Sequence, residues 1–344
     1  MKAMRWAMAG MLLAGGAAGS AGAQTAPRVV ADIPPVQSLA AMAMAGVGEV
    51  ELIVPPGASP HGFTLRPSQA GALERADLVI SIGPALAPWL DEAADALARP
   101  EAVRLDLLDL PGTHALPFRE AAVFAGGHDH DDDHAAHDED GHDDHDPADA
   151  AHAGEHEGEG HDDAGHDGHD HHGLDPHAWL NPDNALVWLD AIADALARID
   201  PARAETYAAN AAAGRARIEA AARTAEELLE PVHHRPYVVF HDAYRHFEER
   251  FDMPASAAVS LGDAASPGAR RVAEVREAIE TTRALCVFAE PQMPARLIDS
   301  VAGDEVRRGV LDPLGATLTP GPELYPALIE AMAKSLLECL GDRA

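Results

Sequence analysis

Short apolar runs alternate with stretches whose apolar positions recur at three- and four-residue spacing, and the alternation occurs in two blocks of the chain. In the first block, Arg28–Ala31, Val50–Val54, Leu78–Ile82 and Val103–Leu105 read as strands. Helices fit Val36–Ala45, Pro67–Ala76 and Pro88–Ala98. In the second block, strands are predicted at Tyr237–Phe240, Ala257–Ser260, Leu285–Ala289 and Gly309–Leu311. Helices fit Ala243–Arg250, Gly268–Thr282, Pro294–Ala302 and Pro322–Leu340. Strands that alternate with helices indicate parallel sheets with crossover helices.

Two helical patterns lie between the blocks. Asn181 is placed to cap a helix that has Pro182 at its first position and runs to about Ile199. Asp200-Pro201 restarts the pattern toward Glu230-Pro231. Tyr207, Ala211, Gly214, Ile218, Ala222, Ala225 and Leu229 form one apolar stripe along it. A helix of roughly 30 residues spans about 45 Å, long for a crossover and suited to a strut. The expected fold class is α/β: two lobes with parallel sheets, residues 24–200 and 231–344, joined by a rigid linking helix over 201–230.

The N-terminus changes the picture of where such a protein works. Lys2 and Arg5 precede an apolar run from Ala7 to Ala18, and Ala21-Gly22-Ala23 offers a small-x-small cleavage site before Gln24. The run is shorter than the roughly 20 residues a membrane span needs. An export signal over 1–23 and an exported mature chain are expected. In an oxidising compartment the two cysteines, Cys286 and Cys339, favour a disulfide. Closing that loop stabilises by about 4 kcal/mol in the chain-entropy treatment.

The formal charge is −32, and it is unevenly spread. Residues 128–172 hold 13 of the 20 histidines and 18 carboxylates, with no Lys or Arg. The tract begins with His128, His130 and His134 and closes on His169, His171 and His172. It is too poor in apolar residues to repay its ordering entropy and reads as a mobile loop. Imidazole mixed with carboxylate attracts divalent transition ions, which makes the tract a weak auxiliary metal loop. About −14 remains elsewhere, so nucleic acid is excluded as a partner.

Seven histidines lie outside the tract. His61 follows the strand ending at Val54, His241 directly follows Val238-Val239-Phe240, and His177 sits where the tract rejoins the fold. In open α/β sheets ligands bind beyond the carboxyl ends of strands. Three neutral imidazoles from separate segments suit Zn2+, leaving a fourth tetrahedral position to water or one carboxylate. Manganese prefers more oxygen, whereas copper is excluded less firmly. Asp312, after the strand ending at Leu311, is the expected fourth ligand, ahead of the similarly placed Glu290. His114, His233 and His234 read as surface residues, and His246 as a packing residue with no metal role.

These stretches resemble a known family, the periplasmic zinc-binding proteins of bacterial ABC-type zinc uptake systems. The resemblance is carried by Gly57-Ala58-Ser59-Pro60-His61-Gly62-Phe63-Thr64-Leu65-Arg66-Pro67-Ser68, Asp175-Pro176-His177-Ala178-Trp179-Leu180-Asn181-Pro182, Phe240-His241-Asp242-Ala243-Tyr244, Phe288-Ala289-Glu290-Pro291-Gln292 and Leu311-Asp312-Pro313-Leu314-Gly315. The acidic histidine tract and the cysteine pair fit as well. The resemblance implies a two-lobed protein of the metal-binding solute-binding type. One zinc ion would be held in the cleft by His61 and His177 from one lobe and His241 from the other. It implies delivery to a membrane permease with a cytoplasmic ATPase, by a monomer that is not an enzyme. Some members carry Glu just before the first ligand; here Pro60 stands there. Two rival expectations are an exported zinc hydrolase, since three histidines and a water also form a catalytic arrangement, and a periplasmic zinc buffer.

Overall fold

In the computed structural model, which describes residues 25–119, 123–124, 173–260, 268–292, 298–299, 301–303 and 305–342, the alternation folds into two four-stranded sheets. The export signal (1–23), the histidine tract (128–172) and most of the helix expected at Pro294–Ala302 lie outside the described residues. The first sheet comprises β1 (Val29–Ala31), β2 (Val50–Leu52), β3 (Leu78–Ser81) and β4 (Val103–Asp106), in the order β2-β1-β3-β4. The second comprises β5 (Tyr237–His241), β6 (Ala257–Ser260), β7 (Cys286–Ala289) and β8 (Arg307–Val310), in the order β6-β5-β7-β8. Every pairing within both sheets is parallel. The second sheet therefore repeats the strand order of the first. The central strands β1 and β5 are buried along their whole length, whereas the edge strands β2 and β8 are only partly so, as parallel sheets covered on both faces require.

Helix starts follow local chemistry. Helices α1 (Pro34–Ala43), α2 (Pro67–Arg75), α3 (Pro88–Leu97) and α4 (Pro182–Ile199) each open on proline, whose fixed φ and missing N–H suit that position. The Asn181 side chain accepts from the Asp183 N–H and caps α4 as expected. The long helix α5 runs from Ala204 to Leu229, between short 3-10 turns, and all seven residues of its expected stripe are buried. At Gly214 a Cβ would lie 2.7 Å from Leu189 and 3.1 Å from Met42. Glycine there lets α5 approach α4 and α1 closely. The later helices are α6 (Arg245–Phe251), α7 (Ala269–Thr282) and α8 (Leu324–Leu340).

The apolar core does not divide where the two blocks do. Alternate residues of β5 face opposite sides. Tyr237 and Val239 join a large cluster that also takes in Val30, Ile80, Ile218 and Leu336. Val238 and Phe240 join a smaller one with Val259, Val275 and Ile279. Helices α5 and α8 lie within the larger cluster and make it continuous. Where α8 begins, Tyr325 N–H donates to Ser38 Oγ (3.0 Å) and Tyr325 OH to the Trp179 carbonyl (2.7 Å). The expected disulfide is formed: Cys286 of β7 bonds to Cys339 of α8, with Cα atoms 6.2 Å apart. Among the described residues, no helix is long and apolar enough to cross a membrane.

Candidate metal centre

Each of the three expected histidines is held by its own local device. His61 lies in the loop beyond β2, which turns at Gly57 with φ +83°, a value glycine adopts without strain. Trp89 of α3 pins the loop by donating to the Pro60 carbonyl at 2.7 Å, and its ring packs on Phe63 at 5.6 Å. His177 follows a short return segment whose Asp175 N–H donates to the Leu116 carbonyl at 2.7 Å. Asp175 Oδ1 accepts from both the backbone N–H of His177 (3.0 Å) and its ring Nδ1 (2.7 Å). Beside it, Trp179 donates to the Pro313 carbonyl at 2.7 Å. His241 is the last residue of β5, in register with Ser260 of β6, and its Nδ1 meets Glu290 Oε1 at 2.5 Å.

These devices converge. One ring nitrogen from each of His61, His177 and His241 lies within 4.8 Å of the others, and no other such group of metal-ligand side chains occurs among the described residues. The His177 ring is central, with centroids 5.4 Å from His61 and 5.3 Å from His241. His177 and His241 are each 4% exposed, and His61 is partly exposed. Carboxylates accept the Nδ1–H of both buried rings, so the Nε2 lone pairs are left facing each other, 3.5 Å apart. Two lone pairs aimed at one point repel unless a proton or cation stands between them. Tetrahedral zinc at about 2.0 Å from each nitrogen places two ligand nitrogens about 3.3 Å apart, close to the spacing found. The ring orientation through carboxylate partners is the usual support for metal-binding histidine.

The surrounding charges are arranged around this point. Burial opposes the charged form of Asp175, but the adjacent His177, and more weakly His246, outweigh it and hold its carboxyl below the ordinary range. Next to His241, burial pushes Asp242 upward despite the attraction of Arg119. Arg119 bridges Asp242 (2.7 Å) and Glu248 (2.5 Å) and stacks on Phe124, 4.0 Å from the ring centroid. Glu248 is likewise raised by burial, with Arg119 opposing. This chain segment reaches the second sheet: Phe124 N–H donates to the Ser256 carbonyl, and Val123 bridges Ala257.

Asp312 stands outside the group of three imidazoles, in the turn that follows the end of β8 at Val310. Its Oδ2 accepts from the Thr317 N–H at 3.2 Å and its hydroxyl at 3.4 Å. Glu290, the weaker candidate, reaches the site as the partner of His241. His246 is fully buried, its Nε2 3.3 Å from the Asp175 carbonyl, and burial lowers its pKa. His114 pairs with Glu249 at 2.7 Å and is about half exposed. The orienting roles of Asp175 and Glu290 were not read from the sequence. The Asp-Pro-His spacing was a usable signal for the first, whereas nothing local marked the second. The auxiliary histidines 128, 130, 134, 169, 171 and 172 lie outside the described residues.

A solved chain described as the crystal structure of ZnuA matches with TM-score 0.66 at 21% identity, over 90% of this chain and 99% of that one. The periplasmic zinc binding protein TroA from Treponema pallidum matches with TM-score 0.70 at 17% identity, over 92% and 100%. The two parallel sheets and the long helix are the fold shared with those two structures. In sequence, the high-affinity zinc uptake system protein ZnuA of Paracoccus denitrificans is 41% identical over 334 residues, 92% of each chain. The protein of that name from Brucella abortus (strain 2308) is 38% identical over 329 residues, 91% of each. The family model described as ZnuA, zinc-uptake complex component A periplasmic, matches residues 29–339. The chain belongs to this ZnuA family, whose members are solute-binding proteins and not enzymes.

Proposed function

We propose that the protein captures Zn2+ through His61, His177 and His241 in a cleft between two lobes and delivers it to the membrane permease of an ABC importer with a cytoplasmic ATPase. The lobes are residues 24–200 and 231–344, with the helix over 201–230 as their spine. The mature protein works as a monomer in the periplasm after cleavage near Ala23. The observation that carries this reading is the pair of inward-facing Nε2 atoms at 3.5 Å, each backed by a carboxylate. The zinc-uptake names of its relatives support the choice of ion. The fourth position falls to a solvent molecule, since Asp312 stands outside the group formed by the three imidazoles. The tract over 128–172 collects zinc weakly and passes it to the tight site.

Neutral imidazole is the ligand form, so affinity falls as pH is lowered. The test is metal analysis of protein purified without added metal, then competition titration of a form lacking 128–172. One tight zinc ion should remain, and His241→Ala should abolish it. Unchanged affinity in His241→Ala would remove that residue from the site. Binding to the cognate permease separates an importer component from a zinc buffer.

A further inference from the structure

Glu290 and Gln292 flank Pro291 just after β7, and both reach the space between the imidazoles. Glu290 is engaged by His241. Gln292 is not engaged among the described residues: its amide oxygen and amide nitrogen are both shielded from solvent and both lack a hydrogen-bond partner there. Buried polar groups in folded proteins are nearly always paired, and each one left unmet costs about 1–3 kcal/mol. The Gln292 side chain lines, with His61, His177, His241 and Pro313, a cavity of 20 Å³. That admits a water-sized group and little more. An apolar side chain would complete the same wall without the cost, so the amide's partner is to be sought inside the cavity.

Building on the three-imidazole zinc site proposed above, we infer that Gln292 positions the fourth ligand of the ion. Its amide oxygen accepts a hydrogen bond from the solvent molecule that completes the zinc tetrahedron. Three imidazoles leave one position open. Water on zinc is a strengthened donor, because the ion draws charge from its oxygen. The carboxylates of Asp175 and Glu290 already stand behind two of the ligands and match the two charges of the ion. A neutral acceptor at 292 therefore completes the site without surplus charge. The hydrogen bond to that solvent molecule gives the Gln292 amide oxygen the partner it lacks among the described residues.

The variants Gln292→Leu and Gln292→Glu of the mature chain test this, with zinc and with one equivalent of Co2+ as a visible probe. Wild type should give a four-coordinate cobalt spectrum that responds to azide, which displaces metal-bound solvent. In Gln292→Leu the metal-free protein should melt at the same temperature or higher. Its zinc affinity should be about tenfold lower, as for other outer partners of metal ligands, and its cobalt spectrum altered. Gln292→Glu keeps an acceptor at the same reach and should restore affinity. Zinc affinity and a cobalt spectrum unchanged in Gln292→Leu would overturn the inference, as would a wild-type spectrum insensitive to azide. A metal-free Gln292→Leu that melts lower while binding zinc normally would make the residue structural and also overturn it. His241→Ala separates the two proposals: a cobalt spectrum that survives it sinks the three-imidazole site itself, whatever Gln292 does.

Discussion

Replacing Glu290 by glutamine removes one negative charge behind His241 and leaves a carbonyl oxygen in its place. The contact is buried on both sides, with side chains 5% and 3% exposed and 2.5 Å between Nδ1 and Oε1. The amide oxygen still accepts the Nδ1–H, so Nε2 keeps its lone pair and the ring its direction. What is lost is electrostatic. An ion about 2.0 Å from Nε2 stands about 6 Å from the carboxylate, where two charges and one attract by about 5 kcal/mol at an effective dielectric constant of about 20. That figure is a ceiling, because the carboxylate is also desolvated in the metal-free state. Outer-partner substitutions of this kind weaken metal binding about 10- to 100-fold, or about 1.4–2.7 kcal/mol. Glu290→Gln should fall in that range, and Glu290→Ala, which also frees the tautomer, should fall further. The assay is competition titration against a chromophoric zinc chelator, with metal-free melting curves to show that the fold is kept. If Glu290→Gln bound zinc within twofold of wild type, the carboxylate would contribute nothing through His241 and the electrostatic reasoning would fail.

Two further expectations concern groups outside the ligand set. Arg119→Met leaves Asp242 and Glu248, at 4% and 2% side-chain exposure, without their cation; breaking a buried pair from one side costs about 3–5 kcal/mol. Urea unfolding of the metal-free protein should show that loss, and Glu248→Gln in the same chain should recover part of it; a midpoint unmoved by Arg119→Met refutes the role. Burial raises Asp32 from 3.8 to about 7, against hydrogen bonds from the Ile82 and Ile33 N–H groups that favour the charge. The folded chain thus keeps a proton that the unfolded chain has released, so this group's stabilisation is complete below about pH 4 and is lost as pH rises through about 7. Asp32→Asn stays neutral, so the melting temperature of the variant relative to wild type should climb between those limits. A difference that does not vary with pH would show that Asp32 titrates normally.

The order of strands and helices, and the three histidines as candidates, were legible because their causes are local. Apolar runs bounded by Gly and Pro mark strands such as Leu78–Ser81 and Ala257–Ser260, and prolines at 34, 67, 88 and 182 mark helix starts. His61 stands beyond the end of β2 and His241 closes β5, and periodicity alone locates those strand ends to within a few residues. The choice between Glu290 and Asp312 was not legible, since both follow a strand and precede a proline. It turns on where β8 stops, and that register is set by pairing with β7, from Cys286↔Arg307 to Ala289↔Val310. The expected strand at Gly309–Leu311 began two residues late for that reason. The continuity of the core through both sheets, and the unmet amide of Gln292, likewise had no trace in the local pattern. Each depends on side chains far apart in the chain meeting in space. Propensity and periodicity act over a few neighbours, whereas the direction of the Glu290 carboxylate is settled by packing against His241, a separation of 49 residues.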